Sequence, residues 1–168
     1  MAIALLRWYD VNQAARFAVR VVPRCVAFDG AHIWVASAGG GNNVTKLRAS
    51  DGSPVGAYTV VGDPMGVVFD GAHIWVASAG SGNNVTKLRA SDGSPVGTYT
   101  VVGDPMGVAF DGANIWVVNS ADNSVTKLRA SDGRSLGMYP AGGAPRGMAF
   151  DGANIWVANS GSDTVSKL

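Results

Sequence analysis

His32 and His73 are the only histidines in this 168-residue chain, and each follows an Asp-Gly-Ala triplet. Imidazole titrates near neutrality, so either residue suits proton transfer as a general base. Two later copies of the same phrase carry Asn114 and Asn154 at that place. A position that takes His or Asn alike reads as the polar tip of a turn.

Arginine offers a second chemistry. Arg24 in Val-Pro-Arg and Arg146 in Ala-Pro-Arg stand where two Asp-Pro-Met triplets place Met65 and Met106. A guanidinium fork suits bidentate capture of an anionic ligand, and Asp63 and Asp104 of those triplets offer internal partners instead. Oxygen-rich segments follow at Asn42-Asn43, Asn83-Asn84, Asp122-Asn123 and Ser162-Asp163. Such oxygens suit Ca²⁺, but no D-x-[DN]-x-[DN]-G loop occurs and Asn clusters also serve tight turns, so neither a metal nor a cofactor is expected. The expected ligand-binding face comprises Arg24, Asp63, Met65, Asp104, Met106 and Arg146, with Asn43, Asn84 and Asn123; no catalytic residue is assigned.

Cys25 stands where the other copies have Gly66, Gly107 and Gly147, which reads as a small buried hydrophobe. As a single cysteine it excludes an internal disulfide and leaves the redox compartment undecided. All 12 acidic residues are aspartates, so chemistry that needs a glutamate base or ligand is excluded within this chain.

The elements that must position these residues follow from a repeat. The phrase F-D-G-A-[HN]-I-W-V starts at Phe28, Phe69, Phe110 and Phe150. One residue is lost between Trp116 and Val125, within a Gly/Asn/Ser segment, as a surface hairpin tolerates. Each unit of about 41 residues reads as four short strands, a to d. In the second unit they fall near 66–69, 74–78, 85–89 and 98–102, divided by Asp-Gly turns that need positive φ. A period near 40 with four strands fits a β-propeller blade. The chain is thus expected to be all-β: one domain over 1–168, with diverged c–d strands at 1–22 and blades at 23–63, 64–104 and 105–144. A partial fourth blade follows at 145–168. The N-terminal strand is expected to complete the last blade, within one chain as a four-bladed ring or across a homodimer as an eight-bladed ring. A segment cut from a longer array is the alternative.

The stretches VVGDPMGVAFDGANIWVVNSADNSVTKL and APRGMAFDGANIWVANSGSDTVSKL resemble YVTN-type β-propeller repeats, with their P-x-G strand, D-G turn and aromatic-Val strand. The resemblance implies a propeller fold, and roles ranging from surface protein and binding platform to occasional enzyme. A related propeller enzyme, streptogramin B (virginiamycin B) lyase, opens a cyclic depsipeptide by elimination with a metal, a His and acidic ligands. That family generally has six or seven blades in one chain, from which four blades depart.

Three further features limit function. Net charge is +1 with 15% charged residues, which speaks against nucleic acid and anionic membrane as partners. The pairs Lys46/Arg48, Lys87/Arg89 and Lys127/Arg129 each lie on one face of strand c and are followed by Asp51, Asp92 and Asp132, which favours local neutralisation over a basic rim. Trp34, Trp75, Trp116 and Trp156 recur mid-strand, as packing between blades requires. No transmembrane run or secretory signal is evident, and localisation is left open. The reading that results is a non-catalytic scaffold binding a protein or small-molecule partner at its d–a and b–c loops, with a lyase of the streptogramin type as the alternative.

Overall fold

The computed structural model of the chain describes residues 15–168. It is a β-propeller fold in which four antiparallel sheets stand side by side as blades. Blade 1 is β1 (Pro23–Phe28), β2 (His32–Ser37), β3 (Asn43–Arg48) and β4 (Pro54–Thr59). Blade 2 is β5 (Asp63–Phe69), β6 (His73–Ala79), β7 (Asn84–Arg89) and β8 (Pro95–Thr100). Blade 3 is β9 (Pro105–Phe110), β10 (Asn114–Asn119), β11 (Ser124–Arg129) and β12 (Ser135–Pro140). Blade 4 has three strands, β13 (Pro145–Phe150), β14 (Ile155–Asn159) and β15 (Thr164–Lys167). No described helix is long and apolar enough to cross a membrane.

The a–b turn forms for two local reasons. Gly30, Gly71, Gly112 and Gly152 take φ of 97° to 101°, which a Cβ would oppose. The aspartate before each glycine then ties the turn to the sheet. Asp70 Oδ1 accepts from the backbone N–H groups of Ala72 (2.9 Å) and His73 (2.7 Å), while Oδ2 accepts from Trp75 Nε1 (2.7 Å). Asp29, Asp111 and Asp151 repeat the bond to Trp34, Trp116 and Trp156.

The core lies between blades. Trp34, Ala36 and Val44 of blade 1 pack on Val67, Ile74, Val76 and Leu88 of blade 2. The same pattern joins blade 2 to blade 3 through Trp75, Val85, Ile115 and Leu128, and blade 3 to blade 4 through Trp116, Val125, Ile155 and Val157. Lysine strengthens these joints. Lys46 and Lys87 are buried, lie 4.8 Å over the rings of Trp34 and Trp75, and donate to the carbonyls of Ala90 (2.7 Å) and Ala130 (2.8 Å) in the next blade. The arginine two residues on is exposed and pairs with its own turn aspartate, as Arg89 does with Asp92 at 3.3 Å. Local neutralisation therefore describes the arginines, whereas Lys46 and Lys87 bridge blades.

Three elements depart from the expected layout. Strand a of blade 2 begins at Asp63, three residues before the expected Gly66. Strand d of blade 2 begins at Pro95, three residues before the expected Thr98. Arg89 N–H bonds Ser94 O at 2.8 Å and closes the turn early, and a register shift between Lys87 and Leu88 absorbs the extra residue. Pro95 is tolerated there as the first residue of an outer strand. The c strand expected before residue 15 lies outside the described residues. Residues 15–22, where the d strand is expected, carry no strand in the single chain. They run against blade 1, with the Val22 carbonyl accepting from Ala38 N–H at 3.1 Å.

Candidate functional site

Strand a is innermost in each blade, and its register with strand b contains a bulge. Pro23 pairs with Ser37 and Cys25 with Ala36, which leaves Arg24 unpaired. Met65 is skipped between Pro64 and Gly66, and Arg146 between Pro145 and Gly147. In blade 3 the shift spans Pro105 to Val108 and includes Met106. A bulge re-aims the side chain of its extra residue. Here it turns four side chains, one from each blade, into a common cleft of about 320 Å³ lined by Arg24, Met65, Met106, Arg146, Cys25 and Met148.

The charge of that cleft is one-sided. Among the described residues neither Arg24 nor Arg146 has a carboxylate within ion-pair distance. Arg146 is oriented by a bond from Nε to Ser160 Oγ (3.2 Å), and Ser160 Oγ donates onward to Ala144 O at 2.8 Å. Asp63 and Asp104 are exposed but do not line the cleft. Asp104 instead takes a left-handed φ of 50°, as do Val22 (53°) and Ala144 (44°) at the corresponding places. For the β-branched Val22 this conformation is strained.

The three predicted asparagines lie apart from the cleft. Asn43 and Asn84 are buried, with Asn43 Nδ2 donating to Gly41 O (3.0 Å) and Asn84 Nδ2 to Val61 O (3.2 Å). Asn123 is exposed at φ 50°, and its Oδ1 accepts from Ala144 N–H at 2.8 Å. It thereby staples the b–c loop of blade 3 to the loop entering blade 4.

A buried polar pair beneath this face escaped the sequence reading. Ser37 faces Asn43 across β2 and β3, and Ser78 faces Asn84 across β6 and β7. In blade 3 the types are exchanged: Asn119 faces Ser124 and lies within hydrogen-bond distance of both Ser124 Oγ and Thr126 Oγ1. Asn159 opposite Thr164 repeats the exchanged form. Each blade thus keeps one amide and one hydroxyl at this level, and the coupled swap is visible in the sequence once the register is known.

The histidines sit at the other rim. His32 Nδ1 lies 3.2 Å from Asp29 Oδ2 and His73 Nδ1 lies 3.4 Å from Asp70 Oδ2. Asn114 and Asn154 direct Nδ2 to the same oxygen of Asp111 (3.0 Å) and Asp151 (3.2 Å). Burial pushes the Asp29, Asp70 and Asp111 carboxyls up, but the indole and backbone N–H donors outweigh it and hold all three below the usual range. At Asp151 the Trp156 N–H leads and the shift is again downward. Each histidine occupies its own crevice between blades, and among the described residues no three His, Cys or Asp side chains converge.

No family model matches the chain, and no curated protein is similar to it in sequence. Solved structures share its fold. It superposes on hydrazine synthase from Kuenenia stuttgartiensis with a TM-score of 0.78 at 19% identity, covering 95% of this chain and 49% of that one. The WD40 repeats of RRP9 give 0.69 at 12% identity, covering 90% and 52%. The computationally designed Ika4 protein gives 0.73 at 10% identity, covering 90% and 92%. The chain thus spans about half the length of hydrazine synthase and of the RRP9 structure, and nearly all of Ika4.

Proposed function

We propose that this chain is a non-catalytic propeller scaffold of the YVTN repeat type whose d–a loop face binds a partner through an anionic group. The observation that carries the reading is the coincidence of bulge and substitution. The blades repeat one another closely, yet at the residue that the bulge turns inward they differ, with Arg24 and Arg146 at the ends and Met65 and Met106 between them. Two guanidinium groups with no carboxylate partner among the described residues favour an anion, and the methionines supply adaptable apolar surface beside it. The chemistry that fits is a carboxylate, sulfonate or phosphate carried on an apolar body, either a small molecule or a side chain of a protein.

Anilinonaphthalene sulfonate has that chemistry and reports its own binding by fluorescence. Arg24→Ala and Arg146→Ala should each weaken its retention roughly tenfold, the scale of one charge-assisted hydrogen bond, and inorganic phosphate should compete. Equal retention by the wild type and both variants would place the probe elsewhere and refute the cleft as the site.

A further inference from the structure

Blade 4 presents, on the side away from blade 3, the surface that the other three blades bury. Trp34 and Trp75 are 0% exposed and Trp116 is 7% exposed, whereas Trp156 is 40% exposed. Val44, Val85 and Val125 are fully buried, whereas Val165 is 62% exposed. A Cβ on Gly66 would collide with the Met106 carbonyl, and one on Gly107 with the Arg146 carbonyl, so in blades 2 and 3 the next blade approaches too closely for a side chain, while blade 1 carries Cys25 at this place. Gly147 stands at the same place with nothing within 4 Å among the described residues. Lys167 keeps its contact over Trp156 (5.3 Å), but among the described residues it meets no carbonyl like those that receive Lys46 and Lys87.

The opposite end of the arc carries the matching half. Val26 and Phe28 of β1 are 64% and 56% exposed, against 4% for the equivalent Val67. The c–d turn of blade 1 offers Ala49 and Ser50 where blade 2 offers Ala90 and Ser91 to Lys46. The segment 15–22 also takes the place of a preceding blade's outer strand. Its Phe17 ring rests on Gly52 as the Tyr58 ring rests on Gly93 and the Tyr99 ring on Gly133. An outer strand is what blade 4 lacks, since β15 has β14 on one side and no strand on the other among the described residues. Among the described residues these ends do not meet: β1 packs on β5, β5 on β9 and β9 on β13, but β13 does not pack back on β1 as a neighbouring blade.

We infer that each open end is covered by the opposite end of a second copy, so that two four-blade arcs close one eight-bladed ring. The junction continues the three already present inside the chain, with the same apolar faces, the glycine of the second and third (Gly66, Gly107) and the lysine-to-carbonyl bond of the first and second (Lys46, Lys87). Lys167 of one copy reaches Ala49 O and Ser50 O of the other. The backbone at Arg24 lies over Gly147, and the segment 15–22 supplies the fourth strand along β15. A head-to-tail contact of this kind is heterologous and stays finite because the rotation closes after two copies. Closure also sets Arg146 of one copy beside Arg24 of the other, although the test below does not depend on ligand binding.

The test is the solution mass of the full 168-residue chain by sedimentation equilibrium. The expected value is about 34 kDa, twice the 17.2 kDa of one chain. Gly147→Leu adds a side chain where none of the described residues of its own chain lies within 4 Å, so it should fill the junction without disturbing the fold. Because both junctions of the ring are overpacked, dimer dissociation should become about a hundredfold easier with an unchanged circular dichroism spectrum. Val165→Glu, on an edge strand, should act in the same direction by burying an unpaired charge. A 17 kDa species up to about 100 micromolar overturns the proposal and leaves the end faces to the chain's first residues or to another protein. A dimer indifferent to both variants, or a ladder of larger species growing with concentration, overturns it equally.

Discussion

Replacing Asp70 with asparagine separates the two tasks of its carboxylate. An Asn Oδ1 still accepts from the backbone N–H groups of Ala72 and His73, but its amide NH₂ then faces the indole N–H of Trp75, donor against donor. Trp75 is fully buried, so no water can take over the bond now made at 2.7 Å. A hydrogen bond to a charged group is worth about 1.5–3 kcal/mol, and a stranded buried donor costs about 1–3 kcal/mol. These describe the same event from two sides, which gives a loss of about 2–3 kcal/mol for Asp70→Asn at neutral pH. The pH dependence has a definite sign. Burial raises the Asp70 carboxyl, but its hydrogen bonds hold it below the ordinary value in the fold. Its contribution is therefore present above the unfolded pKa of about 3.9 and lost as pH falls through the lower folded value. The gap between wild type and variant should narrow as pH falls from about 5 towards 2. Urea unfolding followed by tryptophan fluorescence reads both quantities. An unchanged midpoint at pH 7, or a deficit that persists undiminished in acid, would refute the assignment of the indole lock.

Lys87→Met keeps the apolar stem but removes the cation over Trp75 and the donor to Ala130 O, and should lower stability by about 1–2 kcal/mol in urea. The same change at Lys167, made in the Gly147→Leu background, should stay within about 0.5 kcal/mol because no carbonyl waits there. His32→Asn and His73→Asn copy the residue that blades 3 and 4 already carry, so each should leave stability within about 0.5 kcal/mol. A larger loss by thermal or urea unfolding would contradict the equivalence of these turns.

Those features of the fold that depend on local order were legible in the sequence. The spacing of F-D-G-A-[HN]-I-W-V gave the blade, the glycine of each Asp-Gly pair gave the turn, and the recurrence of Trp34, Trp75 and Trp116 gave the packing between blades. The aspartate was read only as the companion of its glycine, and its bond to the indole five residues on went unseen, because that bond needs the turn to be already folded. The lysine was read as locally neutralised, and its bond to the next blade escaped for a different reason. A spacing of two places Lys87 and Arg89 on one face of β7, yet Lys87 meets the next blade while Arg89 has passed its rim. No local pattern records a contact made to Ala130, 43 residues away. The cleft was half legible. Arg24, Met65, Met106 and Arg146 were marked by their disagreement, whereas Asn43 and Asn84 were placed with them by loop position and in fact lie buried below. The exchange of Ser37/Asn43 for Asn119/Ser124 carried the information that would have separated them.

Repetition and divergence in this chain have one physical origin. Each interior blade-to-blade joint contains a buried indole held by an aspartate, an apolar layer and a lysine that reaches the next turn or lies over its own indole, so a substitution there must suit two blades at once. The bulge residue of strand a is under no such constraint. Its backbone is unpaired by the register shift and its side chain leaves the joint for the cleft, so Arg and Met are exchanged there without disturbing a neighbour. The positions that the frame leaves free are thus also the positions it turns toward a common cleft. That coupling is why four nearly identical blades can line one cleft with side chains that are not repeated.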